Sequence, residues 1–446
     1  MRGETMARRK SSQRNTKKLS FTAILIVVLL AIVALAATFA WGWLAHGMTP
    51  VQTIEYIFAI SDNSNGNQGS GKTEVSASTF DDNTVKVVSD GEFSVHFLEL
   101  GNASTGDCIY VRAGKNDILI DAGSQTNSIP TIKTYLDKFV TDNILEYVIA
   151  THAHEDHIAG FAGSKDNQSL FREYECKTII DFPRTDSNSG IYRKYVQERD
   201  AEIAAGAAHY TALQCYREQN GAKRTYSLGE NTTMTFLYNY FYENKATSEN
   251  DYSVCVLFTH AGKNYLFTGD LESEGKVKAE EKLVELNDLP ECELFKAGHH
   301  GSKTSSSTAL LDVIKPKIVC VCCCAGNSEY TKTEENKFPT QEFIDRVSNY
   351  TDAVYVTTLG AYDFLPDDVK ATFDEKYKTD TEGKYKEKNV FAPMNGTIIV
   401  LAVDNGAAVA ADKRYEKKLF FSNNSLKLKD TEWFKAKRTM PSEWAA

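Results

Sequence analysis

The stretch "THAHEDHIAG", residues 151–160, places His152, His154, Glu155, Asp156 and His157 within six positions. It follows the apolar run "LEYVIA", which reads as a buried strand. In an extended turn, His152 and His154 at i, i+2 project to one side, so both imidazoles can grip one ion. Asp156 and His157, after the chain turns, point to a neighbouring position. The spacing provides two adjoining half-sites, suited to a binuclear metal centre.

Two further pieces lie downstream. "LFKAGHHGS" puts His299 and His300 after a short apolar strand, so five of the nine histidines fall in two strand-end clusters. Asp270 follows a glycine at the end of "NYLFTGD", where its two oxygens could each take one of two cations. The donors are imidazole and carboxylate without thiolate. That suits zinc, manganese or iron and argues against copper(I) or an iron–sulfur cluster. Taken singly, a His-His pair is more often structural and a Gly-Asp more often a turn; H-x-H-x-D-H after an apolar strand rarely arises by chance.

The elements that position these residues begin near Glu92, with the short runs "EFSVHFLELG", "CIYVRAG" and "NDILIDAG". The last two are joined by a Gly-Lys-Asn connection typical of hairpins. "IPTIKTYLDKFVT" reads as a helix before the strand "LEYVIATH". Strands "KTIIDFP", "TMTFLYNY", "SVCVLFTH" and "KNYLFTGD" follow, then a helix over "LESEGKVKAEEKLVELN". Hairpins followed by alternating apolar strands and helices predict an α/β fold of sheets covered by helices. Residues 185–235 read as a helical insertion, and "GTIIVLAV" with "AAVAAD" as a strand pair. "DTEWFKAKRTMP" offers no usable pattern.

The N-terminus has a different texture. Residues 1–18 carry seven Lys/Arg and one Glu, and no charged residue occurs from Leu19 until Glu55. The apolar run over 19–45 is long enough for a membrane helix, and the basic residues before it favour a cytoplasmic N-terminus. The expectation is a single-pass anchor holding the rest of the chain outside the cytoplasm, with a cleaved signal peptide as the competing reading. Residues 46–90, including the Ser/Gly/Asn-rich stretch 61–80, read as a flexible linker, and 91–446 as the globular domain. Beyond residue 18 there remain 43 basic and 59 acidic residues. That balance disfavours general nucleic-acid binding. Four of the nine cysteines crowd "KIVCVCCCAG"; ligands that close along one strand cannot surround zinc, so they read as small buried hydrophobes. Alternation would point Cys320, Cys322 and Cys324 to one side.

"HAHEDH" resembles the signature of the metallo-β-lactamase fold, an αββα sandwich with metals at one edge. "FLELGNASTGDCIYVRAGKNDILIDAGS", "YLFTGDLES" and "LFKAGHHGSKTSSS" are similar, in order, to the subgroup holding the metallo-domain of the competence-channel protein and, near it, bacterial phosphorylcholine esterases. The resemblance implies two divalent ions, zinc or manganese, on His152, His154, Asp156, His157, Asp270 and one of His299/His300. His300 is favoured, with His299 placed to touch a substrate phosphate. It makes Asp121 the carboxylate that orients a ligand histidine. Asn250, or nothing, fills the place of a further histidine found in lactamase-type members, and the turn "LGNASTGD" is longer than the family's.

The activity so implied is hydrolysis of a phosphodiester by water activated between two ions, with Asp156 helping to orient it. Ser302 and Lys303 could hydrogen-bond phosphoryl oxygens, or simply form a turn before the next helix. Glu272 could meet a cationic head group, or be an acid at a helix N-terminus. A choline-phosphate or other envelope phosphodiester suits the acidic, tethered chain better than nucleic acid, which is the second substrate class. A non-catalytic envelope binding protein stabilised by metal is the alternative of another kind; the open ligand count argues against it. No protein partner is implied.

Overall fold

The computed structural model describes residues 92–402, 417–420 (backbone only) and 426–445. All lie within one compact unit, Val75–Ala446. The expected basic segment, membrane anchor and linker fall outside the described residues, as does "AAVAAD". Among the described residues no helix is long and apolar enough to cross a membrane.

Two eight-stranded sheets are built from alternating apolar runs. The first comprises β1 (Phe93–Phe97), β2 (Ile109–Ala113), β3 (Asn116–Ile120), β4 (Ile144–Ile149), β5 (Glu175–Asp181) and β6 (Ala208–Thr211), continued on the other side of β1 by β15 (Ile398–Ala402) and β16 (Lys417–Phe420). The second comprises β7 (Thr225–Ser227), β8 (Thr232–Phe236), β9 (Val256–His260), β10 (Lys263–Phe267), β11 (Leu294–Lys296), β12 (Ile318–Ala325), β13 (Val354–Leu359) and β14 (Ala392–Pro393), paired in sequence order.

Each sheet changes from antiparallel to parallel pairing at a strand that matters to function. β2 pairs antiparallel with β3, and β3 pairs parallel with β4. Likewise β9 pairs antiparallel with β10, and β10 parallel with β11. The carboxyl ends of adjacent parallel strands leave a crevice where loops can converge.

The sheets face each other across an apolar core. Phe93 packs 6.1 Å from Phe258 and 4.6 Å from Tyr265, and Phe97 packs 6.3 Å from Phe267, ring centre to ring centre. The helices Ile129–Leu136, Glu155–Ala162 and Gly190–Ala205 add Ile132, Ile158, Phe161 and Tyr195 to this core from the outside of the first sheet. The outer face of the second sheet, with Phe295, Val319 and Val354, forms its own core against Leu283, Leu311 and Phe343. The layers therefore run helices, sheet, sheet, helices.

Two sequence expectations need correction. Residues 185–235 are not simply helical: beside Gly190–Ala205 and Ala212–Arg217 they supply β6, β7 and most of β8, which edge both sheets. The helix expected over "LESEGKVKAEEKLVELN" starts only at Ala279. The cysteine strand alternates as expected over residues 320–323, although its pairing with β13 shifts register between Val321 and Cys324. Cys320 and Cys322 face the core between the sheets while Cys323 turns to the outer one. All nine cysteines are buried and none is in a disulfide.

Candidate metal centre

The centre assembles where β3, β4, β10 and β11 end. Asp121 follows β3 with a positive φ of 57°. Thr151 and His152 follow β4, and His154 begins the helix Glu155–Ala162 that carries Asp156 and His157. Asp270 follows β10 through Gly269, whose φ of 55° makes the turn, and His299 and His300 follow β11. His299 and His300 both adopt left-handed backbone, φ 43° and 55°. Such consecutive outliers cost roughly 1–3 kcal/mol each and persist where surrounding structure holds them for a purpose.

Each buried histidine is anchored through Nδ1. That of His157 donates to Asp121 Oδ2 at 2.7 Å. The same carboxylate accepts from Thr151 N and Thr151 Oγ1, both at 2.7 Å. Having given its proton to Asp121, the Thr151 hydroxyl accepts from His152 Nδ1 at 3.1 Å. His300 Nδ1 donates to the carbonyl of Cys322 at 2.9 Å. Anchoring Nδ1 frees Nε2 to face the centre, the arrangement found behind metal-ligating imidazoles.

The free nitrogens converge on Asp270. His157 Nε2 lies 3.0 Å and His300 Nε2 3.1 Å from Asp270 Oδ2. His300 Nε2 is also 3.4 Å from Asp156 Oδ2, and among the described residues it has no hydrogen-bond partner although it is buried. Donor atoms of His152, His157 and Asp270 lie within 4.8 Å of one another, as do those of Asp156, His157 and His300. These are two overlapping sets of imidazole and carboxylate that share His157, a donor chemistry that fits divalent metal ions.

Burial disfavours an imidazolium at His157, yet the Asp270 and Asp121 carboxylates outweigh it and hold its pKa well above the ordinary histidine range. His300 behaves likewise beside Asp270 and Asp107. His152 is held well below that range by burial and by its histidine neighbours. For Asp270 burial is overcome by His157, His300 and Lys296, which keep it ionised.

The remaining expected residues divide. His154 is exposed at the mouth of the site, with Nδ1 3.0 Å from His152 Nε2. His299 turns away from the cluster: its Nδ1 is 3.1 Å from Glu272 Oε1 and 3.0 Å from Thr304 Oγ1, and its Nε2 is 3.5 Å from Asn250 Nδ2. Glu272, by accepting from Thr304 Oγ1, steadies that histidine; it is not a helix N-terminal acid, since the helix starts seven residues later. Ser302 bonds Thr304 within its own turn. Lys303 is exposed and donates to Asn336 Oδ1, so the structure does not bring it to the cluster.

Four site residues escape a sequence reading. Asp107, 1% exposed, lies 3.3 Å from His300 Nδ1 and 2.5 Å from Lys296 Nζ. Gly106 lets it in: a Cβ there would sit 2.6 Å from the Ser124 backbone and 2.7 Å from the Asp156 carbonyl. Lys296 closes β11. From the loop after β12, Tyr330 donates to Asp156 Oδ2 at 2.9 Å, and Glu329 accepts from Thr105 N. A cavity of about 350 Å³ opens over the cluster, walled by His154, Glu155, His299, Glu329 and Tyr330, with Asp156 and Asp270 at its base.

Residues 101–169 match the family model described as the Metallo-beta-lactamase superfamily. The chain is 25% identical over 177 residues to ComE operon protein 3 of Bacillus subtilis, 39% of this chain and 19% of that protein. It is 31% identical over 113 residues to Recombination protein 2 of Haemophilus influenzae, 25% of this chain and 13% of that one. It thus spans less than a fifth of the length of these curated relatives. Among solved structures, the metallo-beta-lactamase fold protein YhfI from Bacillus subtilis is similar at a TM-score of 0.35 and 11% identity, over 59% of this chain and 95% of that one. The likeness to the metallo-beta-lactamase superfamily model thus rests on residues 101–169, the stretch that carries Asp107, Asp121, His152, His154, Asp156 and His157.

Proposed function

We propose that this protein is a membrane-anchored, extracytoplasmic phosphodiesterase working with two divalent ions, zinc or manganese. The observation that supports this best is the convergence of His157 Nε2 and His300 Nε2 on one oxygen of Asp270, with both imidazoles anchored from behind. In this reading His152, His154, Asp156, His157, Asp270 and His300 hold the ions. When bound, they supply an activated water and a place for the phosphoryl oxygens.

The chain's own groups do the rest. Asp121 fixes the orientation of His157, and Tyr330 holds the Asp156 carboxylate by its 2.9 Å hydrogen bond. His299, braced by Glu272, stands at the cavity wall to donate to a non-bridging phosphoryl oxygen. Glu155 and Glu329 line that cavity, and among the described residues no Lys or Arg does. This favours a small choline-phosphate or other envelope diester, whose cationic or neutral alcohol tolerates carboxylates.

The similarity to ComE operon protein 3 and to Recombination protein 2 supports a second reading, a nuclease. The two separate when the full chain is given p-nitrophenyl phosphorylcholine, bis-p-nitrophenyl phosphate and a single-stranded oligonucleotide, with manganese or zinc and Asp156→Asn as control. Preference for the phosphorylcholine ester supports the first reading. Preference for the oligonucleotide supports the second, and no turnover with metal bound contradicts both.

A further inference from the structure

Among the described residues Lys296 is the one ammonium inside the cluster, and it has no counterpart among the residues singled out from the sequence. It is 1% exposed. Its Nζ lies 3.1 Å from Asp270 Oδ1, 3.1 Å from the Gly269 carbonyl and 2.5 Å from Asp107 Oδ2. An ammonium has three N–H donors, and here three acceptors surround it. None is left for a substrate, so Lys296 is not placed to bind or protonate one.

Its effect is on which oxygens remain available. Asp270 Oδ1 is occupied by Lys296, whereas Oδ2 alone faces His157 Nε2 and His300 Nε2. The sequence expectation gave each oxygen of Asp270 one ion; in the fold Oδ1 is engaged by Lys296, and Oδ2 is the oxygen that faces both imidazole nitrogens. Asp107 is restrained in the same way. Its donor atoms fall within reach of two ligand sets; Oδ2 is held by Lys296, and Oδ1, 3.3 Å from Nδ1 of His300, is buried without a hydrogen-bond partner among the described residues.

We infer that Lys296 is a positioning residue: it presents Asp270 to the metal pair through one oxygen and takes Oδ2 of Asp107 out of the ligand set. The inference rests on the metallohydrolase reading above and concerns the residues that shape its centre. Lys296 also sets the charge of the site. With neutral imidazoles, the carboxylates of Asp107, Asp121, Asp156 and Asp270 and the Lys296 ammonium leave minus three, which two dications exceed. The loaded centre is then net positive and attracts a phosphodiester anion. With a neutral side chain at 296 the loaded centre has no net charge.

Two of these charges must be changed together, because removing Lys296 alone strands the buried Asp107 carboxylate and destabilises the fold. The test compares the wild-type full chain with Lys296→Met/Asp107→Asn after stripping with chelator, titrating manganese calorimetrically. The wild type should take two ions. In the double variant the weaker ion should bind at least tenfold less tightly, the usual size of an outer-partner effect, while the melting temperature in chelator stays close to wild type. The manganese pair should also lose the spin coupling of a single-oxygen bridge in its paramagnetic resonance spectrum. Two ions bound by the variant with wild-type affinity and coupling would overturn the inference and leave the metallohydrolase reading standing. A wild type that takes no ion would overturn both.

Discussion

Nδ1 of His157 and Oδ2 of Asp121 lie 2.7 Å apart, at the ends of an α-helix and of β3 that are 36 residues apart in sequence. The contact fixes the ring so that Nε2 faces Asp270, and Thr151 in turn fixes the carboxylate through both oxygens. Asp121→Asn keeps the shape but offers an amide where the imidazole needs an acceptor. We expect metal affinity to drop by about 10- to 100-fold, read by calorimetric titration of the stripped variant.

Removing the metal should weaken the fold. Asp107, Asp121 and Asp270 are each 1% exposed or less, and without cations their mutual repulsion is offset only by Lys296 and protonated histidines. Ions that bind the folded chain alone raise its stability by mass action, about 2.7 kcal/mol per site at a free concentration 100 times Kd. Thermal scans in chelator and in graded manganese should show a melting temperature that climbs with ion concentration; a flat response would contradict a built metal centre.

Tyr330 is 56% exposed, yet its hydroxyl reaches Asp156. Its ring lies 5.6 Å from Phe338, whose own ring lies 5.9 Å from His299. Tyr330→Phe removes one hydrogen bond and no packing. We expect kcat/KM to fall about tenfold, as for other partners of ligating groups, with the melting temperature in chelator unchanged. Steady-state kinetics beside a thermal scan read both.

His96 gives the fold a pH dependence away from the centre. It is fully buried on β1 between Ser94 and Tyr135. Burial, helped by Arg112, depresses its pKa from 6.5 to about 3. Between those values the unfolded chain binds a proton that the folded chain refuses, so this group's stabilising contribution is full above pH 6.5 and is lost as pH falls toward 3. From pH 7 to pH 5 that loss is about 2 kcal/mol. Denaturant titrations of His96→Gln at the two pH values should show a correspondingly shallower decline than wild type.

Local spacing made part of this legible. The β2–β3 hairpin is written in alternating apolar residues around Gly114, and the H-x-H-x-D-H run carries its chemistry in contiguous residues. Asp107 and Lys296 were not legible, because a single Asp in "STGD" and a single Lys in "LFKAG" look like any turn and strand-end residue. Only the meeting of the two sheets, 189 residues apart along the chain, makes them a pair. Tyr330 and Glu329 were hidden in a polar loop for the same reason. The short helix Glu432–Lys437 escaped because six residues give less than two turns of periodicity, though Thr431 caps it and Trp433 is buried.

The central claim is that a two-ion centre on these residues hydrolyses phosphodiesters. The most direct measurement is turnover of bis-p-nitrophenyl phosphate by the stripped full chain as manganese is returned stepwise, with Asp156→Asn alongside. The account predicts turnover that rises to a maximum as the second ion binds, and none from the variant at any ion concentration. Turnover indifferent to metal, or a chain holding two ions that leaves the diester intact, would contradict it.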